Sequence, residues 1–192
     1  KHLPSQGSLS IKDFSNMLDW LGRNYKLIGA REYLERFESY QIEPDHICLS
    51  FDDALLCQYD IAVPVLKERN LDAFFFIYSS IFTSTPDNLE IFRHFRTHNF
   101  DTIDEFYNHF FARVKKIFGN DLLYYRKEYI KQNYLNTSAF YSENDKWFRY
   151  LRDLVLGPKK YEKIMTKMID ESKFEPQDIL GEIWMSEDNL TD

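Results

Sequence analysis

Glycine and proline are scarce, with six of each in 192 residues, which excludes collagen-like and low-complexity linker material. Cysteine is scarcer still. Cys48 and Cys57 are the only two, so no disulfide framework is expected, and Cys48 falls in an apolar run where a thiol behaves as a small hydrophobe. No apolar stretch approaches the roughly 18 residues of a membrane span. The longest, Ala73 to Tyr78, has the length of a strand. Positive charge is in deficit: 24 Lys and Arg against 31 Asp and Glu leave a net charge of -7. A general nucleic-acid surface needs a basic stripe to neutralise phosphates, so nucleic acid is not an expected partner.

What is abundant is apolar and aromatic. Hydrophobic residues make up 44% of the chain and aromatics 17%, enough to bury a core at a length that suits one domain. Near the start, Ser10 is a candidate N-cap, and Phe14, Met17, Leu18 and Leu21 follow at helical spacing. A second helical pattern runs through Tyr33, Leu34 and Phe37, and Pro44 blocks its continuation. Then Ile47 to Phe51 form a short, almost continuously apolar run, as expected of a parallel strand covered on both faces. It stops at two carboxylates, Asp52 and Asp53. From Leu55 to Arg69 the spacing of Tyr59, Val63 and Leu66 predicts a helix, with Pro64 implying a kink or a late start. The aromatic run LDAFFFIYSS predicts a second strand. Strand, helix, strand is a βαβ unit and places the first half of the chain in the α/β class. Beyond Asn88 no strand signal interrupts a series of long helical segments; Phe106, Phe110, Val114 and Ile117 outline one apolar face.

In a parallel α/β sheet or barrel, ligand sites gather at the carboxyl ends of the strands, where loops and helix N-termini converge. Asp52 and Asp53 are expected at such an end. Adjacent carboxylates project in different directions from an extended strand, so one can hold a ligand while its neighbour reaches water. That division suits metal-assisted hydrolysis. A pair that merely caps the next helix is the plainer alternative for a bare Asp-Asp.

The surrounding residues carry more. The stretch ICLSFDDALLCQYDIAVPVLKERNLDAFFFIYSS, residues 47–80, resembles the first motif region of NodB-type polysaccharide deacetylases, carbohydrate esterase family four. An apolar strand ends there in Phe-Asp-Asp, and a helix leads to the second strand. The preceding SIKDFSNMLDWLGRNYKLIGAREYLE is similar to that family's leader helix, and EIWMSEDNLTD near the end is similar to the helix start before its second, His-containing motif. The resemblance implies a partial (β/α) barrel with residues 1–87 as its first part, residues 88–174 as a large helical insertion and residues 175–192 as the start of a return to the barrel. It also implies a hydrolase that removes acetyl groups from N-acetylated sugars of a polysaccharide or glycan. Asp52 would be the general base and Asp53 a ligand of a divalent metal, usually zinc, completed by two histidines that the resemblance puts beyond Asp192. Where the family carries Gly after the aspartates, this chain has Ala54. The alternative reading is a non-catalytic glycan-binding or partner-binding module on the same fold; a phosphoryl-transfer domain is a third, without a Gly-rich phosphate loop to support it.

Other residues invite a functional reading and a plainer one. His94 and His98 have metal-ligand spacing on a helix, but Arg93 and Arg96 flank them, and packed or solvated histidines are expected. Tyr124, Tyr125, Tyr129, Tyr134, Trp147 and Phe148 could stack on sugar rings; core packing is the expectation. Lys159, Lys160, Lys163 and Lys167 are expected to form a solvated helix face.

Overall fold

The computed structural model describes residues 9–83 and 88–191. They fall into two compact units, residues 1–91 with 176–192, and residues 92–175, where chain length alone suggests one.

The first unit opens with helix α1, Ile11–Asn24. Ser10 starts it through a capping box: its hydroxyl accepts the Asp13 N–H at 3.2 Å, and the Asp13 carboxylate accepts the Ser10 N–H. Strand β1, Lys26–Leu27, lies parallel to β2, His46–Ile47, and helix α2, Ala30–Glu38, connects them. The expected strand is thus interrupted. Its first half pairs with β1, and after Cys48 and Leu49 it changes partner, continuing as β3, Ser50–Asp52, parallel to β4, Phe74–Phe76. Side chains alternate across β3 and β4. Phe51 and Phe75 stack with ring centroids 4.9 Å apart, and Phe14 of α1 meets Phe51 edge-on. Phe74 and Phe76 stack on each other, and Tyr33 of α2 meets Phe74 edge-on. Phe14, Leu18, Ala62, Val65 and Leu66 form the buried cluster on which Phe51 and Phe75 pack.

Between β3 and β4 the chain makes a π-turn, Gln58–Ala62, before helix α3, Val63–Glu68. Pro64 accounts for it. In an α-helix the proline ring would collide with the carbonyl four residues back; here the wider turn lets the Val63 N–H reach Gln58 O, five residues back.

The expected partial barrel is not what the chain forms. The described residues are mostly helical and hold two separate two-stranded parallel pairs. Strands of two or three residues, with nothing but helix and turn over most of the described chain after β4, leave no further strands to close a sheet on itself.

Helix α4, Asn88–His98, leads into the second unit, which holds α5, Ile103–Phe118, α6, Asp121–Gln132, α7, Glu143–Tyr150, and α8, Gly157–Asp170. Phe106, Phe110 and Val114 of α5 are fully buried, and Phe106 and Phe110 both meet Phe148 of α7 edge-on. Trp147 and Tyr129 are buried as well, so half of the aromatic platform suggested by the sequence is core. Ile117, expected on the same apolar face, is 57% exposed. Between α7 and α8 a π-turn, Leu151–Leu156, ends at Gly157, whose φ of 67° favours glycine, and Pro158 follows where a first-turn proline needs no N–H partner. No helix among the described residues is long and apolar enough to cross a membrane.

Candidate functional site

The end of β3 is built from the strand upward. The Asp53 N–H donates to Phe76 O at 3.0 Å, which extends the ladder one residue past Asp52. The backbone then leaves the strand through two consecutive left-handed residues, Asp53 with φ 74° and Ala54 with φ 50°. Aspartate tolerates that region better than alanine does, and Ala54 is held in it from outside. Its carbonyl accepts the Met185 N–H at 2.8 Å, and Leu55 bridges Trp184 in antiparallel fashion. The Gln58 amide closes the loop from within: its nitrogen donates to Asp52 O at 2.6 Å and its oxygen accepts the Leu55 N–H at 3.2 Å.

The loop separates the two aspartates. Asp52 is exposed to solvent and Asp53 is half-buried. Asp53 lines a cavity of about 170 Å³ with Tyr78, Leu89, Glu90 and Trp184. Glu90 and Trp184 are buried, 4% and 7% exposed. The Trp184 indole N–H is shielded from solvent and has no acceptor among the described residues, a deficit of about 1–3 kcal/mol for a buried donor. Aromatic faces beside carboxylates make a site suited to a ligand that has both hydroxyls and an apolar ring face.

A metal centre is a different matter. Asp53 and Glu90 bring two carboxylates to one cavity, whereas a catalytic zinc takes three protein ligands and an open position. Among the described residues no three His, Cys, Asp or Glu side chains are grouped to hold a cation. The resemblance places one ligand of its zinc site in this chain, Asp53, and the described residues that line its cavity add no histidine to it. His94 and His98 do not supply such a site: their rings stack on each other with centroids 4.0 Å apart, and His98 Nδ1 lies 2.9 Å from the Thr97 hydroxyl and 3.1 Å from His94 O.

Tyr78, Leu89, Glu90 and Trp184 do not stand out in the sequence as site residues. Trp184 lies in EIWMSEDN, the stretch similar to the second-motif helix start; Glu90 carries no local signal, being one acidic residue in the first turn of α4. No family model, curated protein or solved structure matches the chain.

Proposed function

We propose that this chain carries, in Asp52 and Asp53, the carboxylates of a hydrolytic site that removes acetyl groups from N-acetylated sugars of a glycan. The observation that carries the reading is the placement of Asp52 and Asp53 at the carboxyl end of a parallel strand, one open to solvent and the other facing a cavity. In this reading water attacks the acetyl carbonyl carbon while Asp52 takes a proton from it. The carbon–nitrogen bond then breaks as the amine nitrogen takes up the proton that Asp52 received, and acetate and a free amino sugar leave. Asp53 accepts a hydrogen bond from a sugar hydroxyl, and Tyr78 and Trp184 meet the apolar face of the ring.

The test measures acetate release from N-acetylglucosamine oligomers by the product of the whole reading frame that holds this sequence, beside its Asp52→Asn form. Release by the parent that is lost in Asp52→Asn, with oligomer binding retained, is the expected result. Undiminished release by Asp52→Asn would remove Asp52 from the chemistry. The aromatic lining also supports a second reading, a glycan-binding module without turnover. Saturable oligomer binding with no acetate release would select it over the first.

A further inference from the structure

A second cavity, of about 450 Å³, lies in the helical unit between α5 and α8, within the size range of small-molecule sites. On α5, Arg113, Lys116 and Ile117 stand at i, i+3 and i+4; on α8, Lys160, Lys163, Ile164 and Lys167 stand at i, i+3, i+4 and i+7. Each set occupies one helix face. The two rows frame an apolar floor of Ile117 and Ile164 with a rim of five cations and one carboxylate, Glu171.

The charges on that rim are not balanced. Glu171 accepts Arg113 as a close ion-pair partner and lies 3.9 Å from Lys167. Among the described residues Lys116, Lys160 and Lys163 make no ion pair; the Lys160 ammonium sits 5.7 Å from the centre of the Phe118 ring. Three uncompensated lysines therefore surround one cavity in a chain whose net charge is -7. Like charges held together repel unless an anion joins them. The floor is equally unfinished: Ile117 continues the apolar stripe of Phe106, Phe110 and Val114, yet it is 57% exposed where the others are fully buried.

We propose that this cavity binds a small phosphate ester with an apolar body, its phosphate held by Lys116, Lys160 and Lys163 and its apolar part resting on Ile117 and Ile164. Charge complementarity selects the phosphate, and the volume of about 450 Å³ with its apolar floor selects a compact amphiphile over a flat anionic bilayer. Lysines act here as point charges toward the phosphate oxygens.

Calorimetric titration of the 192-residue chain with phenyl phosphate, inorganic phosphate and phosphatidylglycerol–phosphatidylcholine vesicles tests the assignment. Phenyl phosphate is expected to saturate one site about tenfold more tightly than inorganic phosphate, a difference of the size that burial of part of a ring supports, and to weaken with added salt. Lys163→Glu, an exposed position, is expected to weaken phenyl phosphate by about tenfold or more. Ile117→Ser is expected to bring phenyl phosphate down to the affinity of inorganic phosphate while leaving inorganic phosphate unchanged. Absence of saturable phenyl phosphate binding, wild-type affinity in Lys163→Glu, equal affinity for the two phosphates, or binding to vesicles alone would each overturn it.

Discussion

Arg96 offers a perturbation whose sign runs against intuition. Its side chain is buried, 3% exposed, with its guanidinium 5.5 Å from the centre of the Phe148 ring. Among the described residues its Nε has no hydrogen-bond partner and no carboxylate pairs with it. Burial is the main cause that pulls its pKa below the ordinary value; Tyr161 and Tyr107 oppose the shift, and Arg149 and Arg93 add to it. An arginine nonetheless stays protonated at neutral pH. An uncompensated buried cation costs several kcal/mol, of which the ring contact returns about 2 kcal/mol. Arg96→Met keeps most of the volume and removes the charge. Replacements of buried charges by apolar residues of similar size run from neutral to a few kcal/mol stabilising; about 1–2 kcal/mol is expected here. At a urea slope of about 1–3 kcal/mol per molar, the midpoint followed by far-UV circular dichroism should rise by roughly 0.3–2 M. Arg96→Lys keeps a charge that is more strongly hydrated and loses the planar ring contact, so its midpoint should fall. A lower midpoint for Arg96→Met together with an unchanged one for Arg96→Lys would show that the buried charge is compensated, and the reasoning would fail.

Two more outcomes concern the first unit. A Cβ on Gly29 would stand 1.8 Å from Asp72 Oδ1, and the Asp72 carboxylate accepts the Arg31 N–H at 3.1 Å at the start of α2; Gly29→Ala should therefore displace that cap and cost about 1–2 kcal/mol in chemical unfolding, and a cost under about 0.5 kcal/mol, within the noise of a surface change, would mean the cap survives. Burial, aided by Asp60 and Glu90, raises the Cys57 thiol pKa, so the native thiol holds less thiolate than an unfolded one near neutral pH. Its iodoacetamide reaction should be severalfold slower in the native chain than in urea and should accelerate as pH rises through the native pKa. Equal rates in the two states at pH 8 would contradict the shift.

The parts of the fold that the sequence discloses are those set by short-range physics. Ser10 followed by Phe14, Met17, Leu18 and Leu21 announces both the cap and the buried face of α1, because capping and 3.6-residue periodicity act within a few residues. Pro64 announces a disturbance before α3, although nothing local says that it takes the form of a π-turn. The barrel expectation failed at longer range. An apolar run such as Ile47 to Phe51 states that a segment is covered on both faces, and it does not state with what. Here the run breaks at Cys48 and Leu49 and uses two partners, β1 and β4, along its length. Ile117 shows the same limit on a helix: periodicity assigns it to the apolar stripe, and periodicity does not state whether another element covers it; it is left exposed.

The candidate site divides along the same line. Asp52 and Asp53 are legible because a strand end and an acidic pair coincide in a few residues, and the structure places them at the end of the parallel pair β3 and β4. The other walls of their cavity come from residues distant in sequence, Leu89, Glu90 and Trp184 among them, and no local pattern links such residues. What ties Trp184 to the loop is backbone hydrogen bonding, the Met185 N–H to Ala54 O and the bridge between Leu55 and Trp184. That tether also explains how alanine occupies a left-handed position that costs it about 1–2 kcal/mol: the two contacts hold the loop where Ala54 is buried, 2% exposed, and burial of its methyl group offsets about 0.8 kcal/mol. The loop after β3 is therefore stable only while residues 184 and 185 are docked on it. Its shape, and with it the direction in which Asp53 faces, depends on a segment far downstream in the sequence as much as on the motif itself.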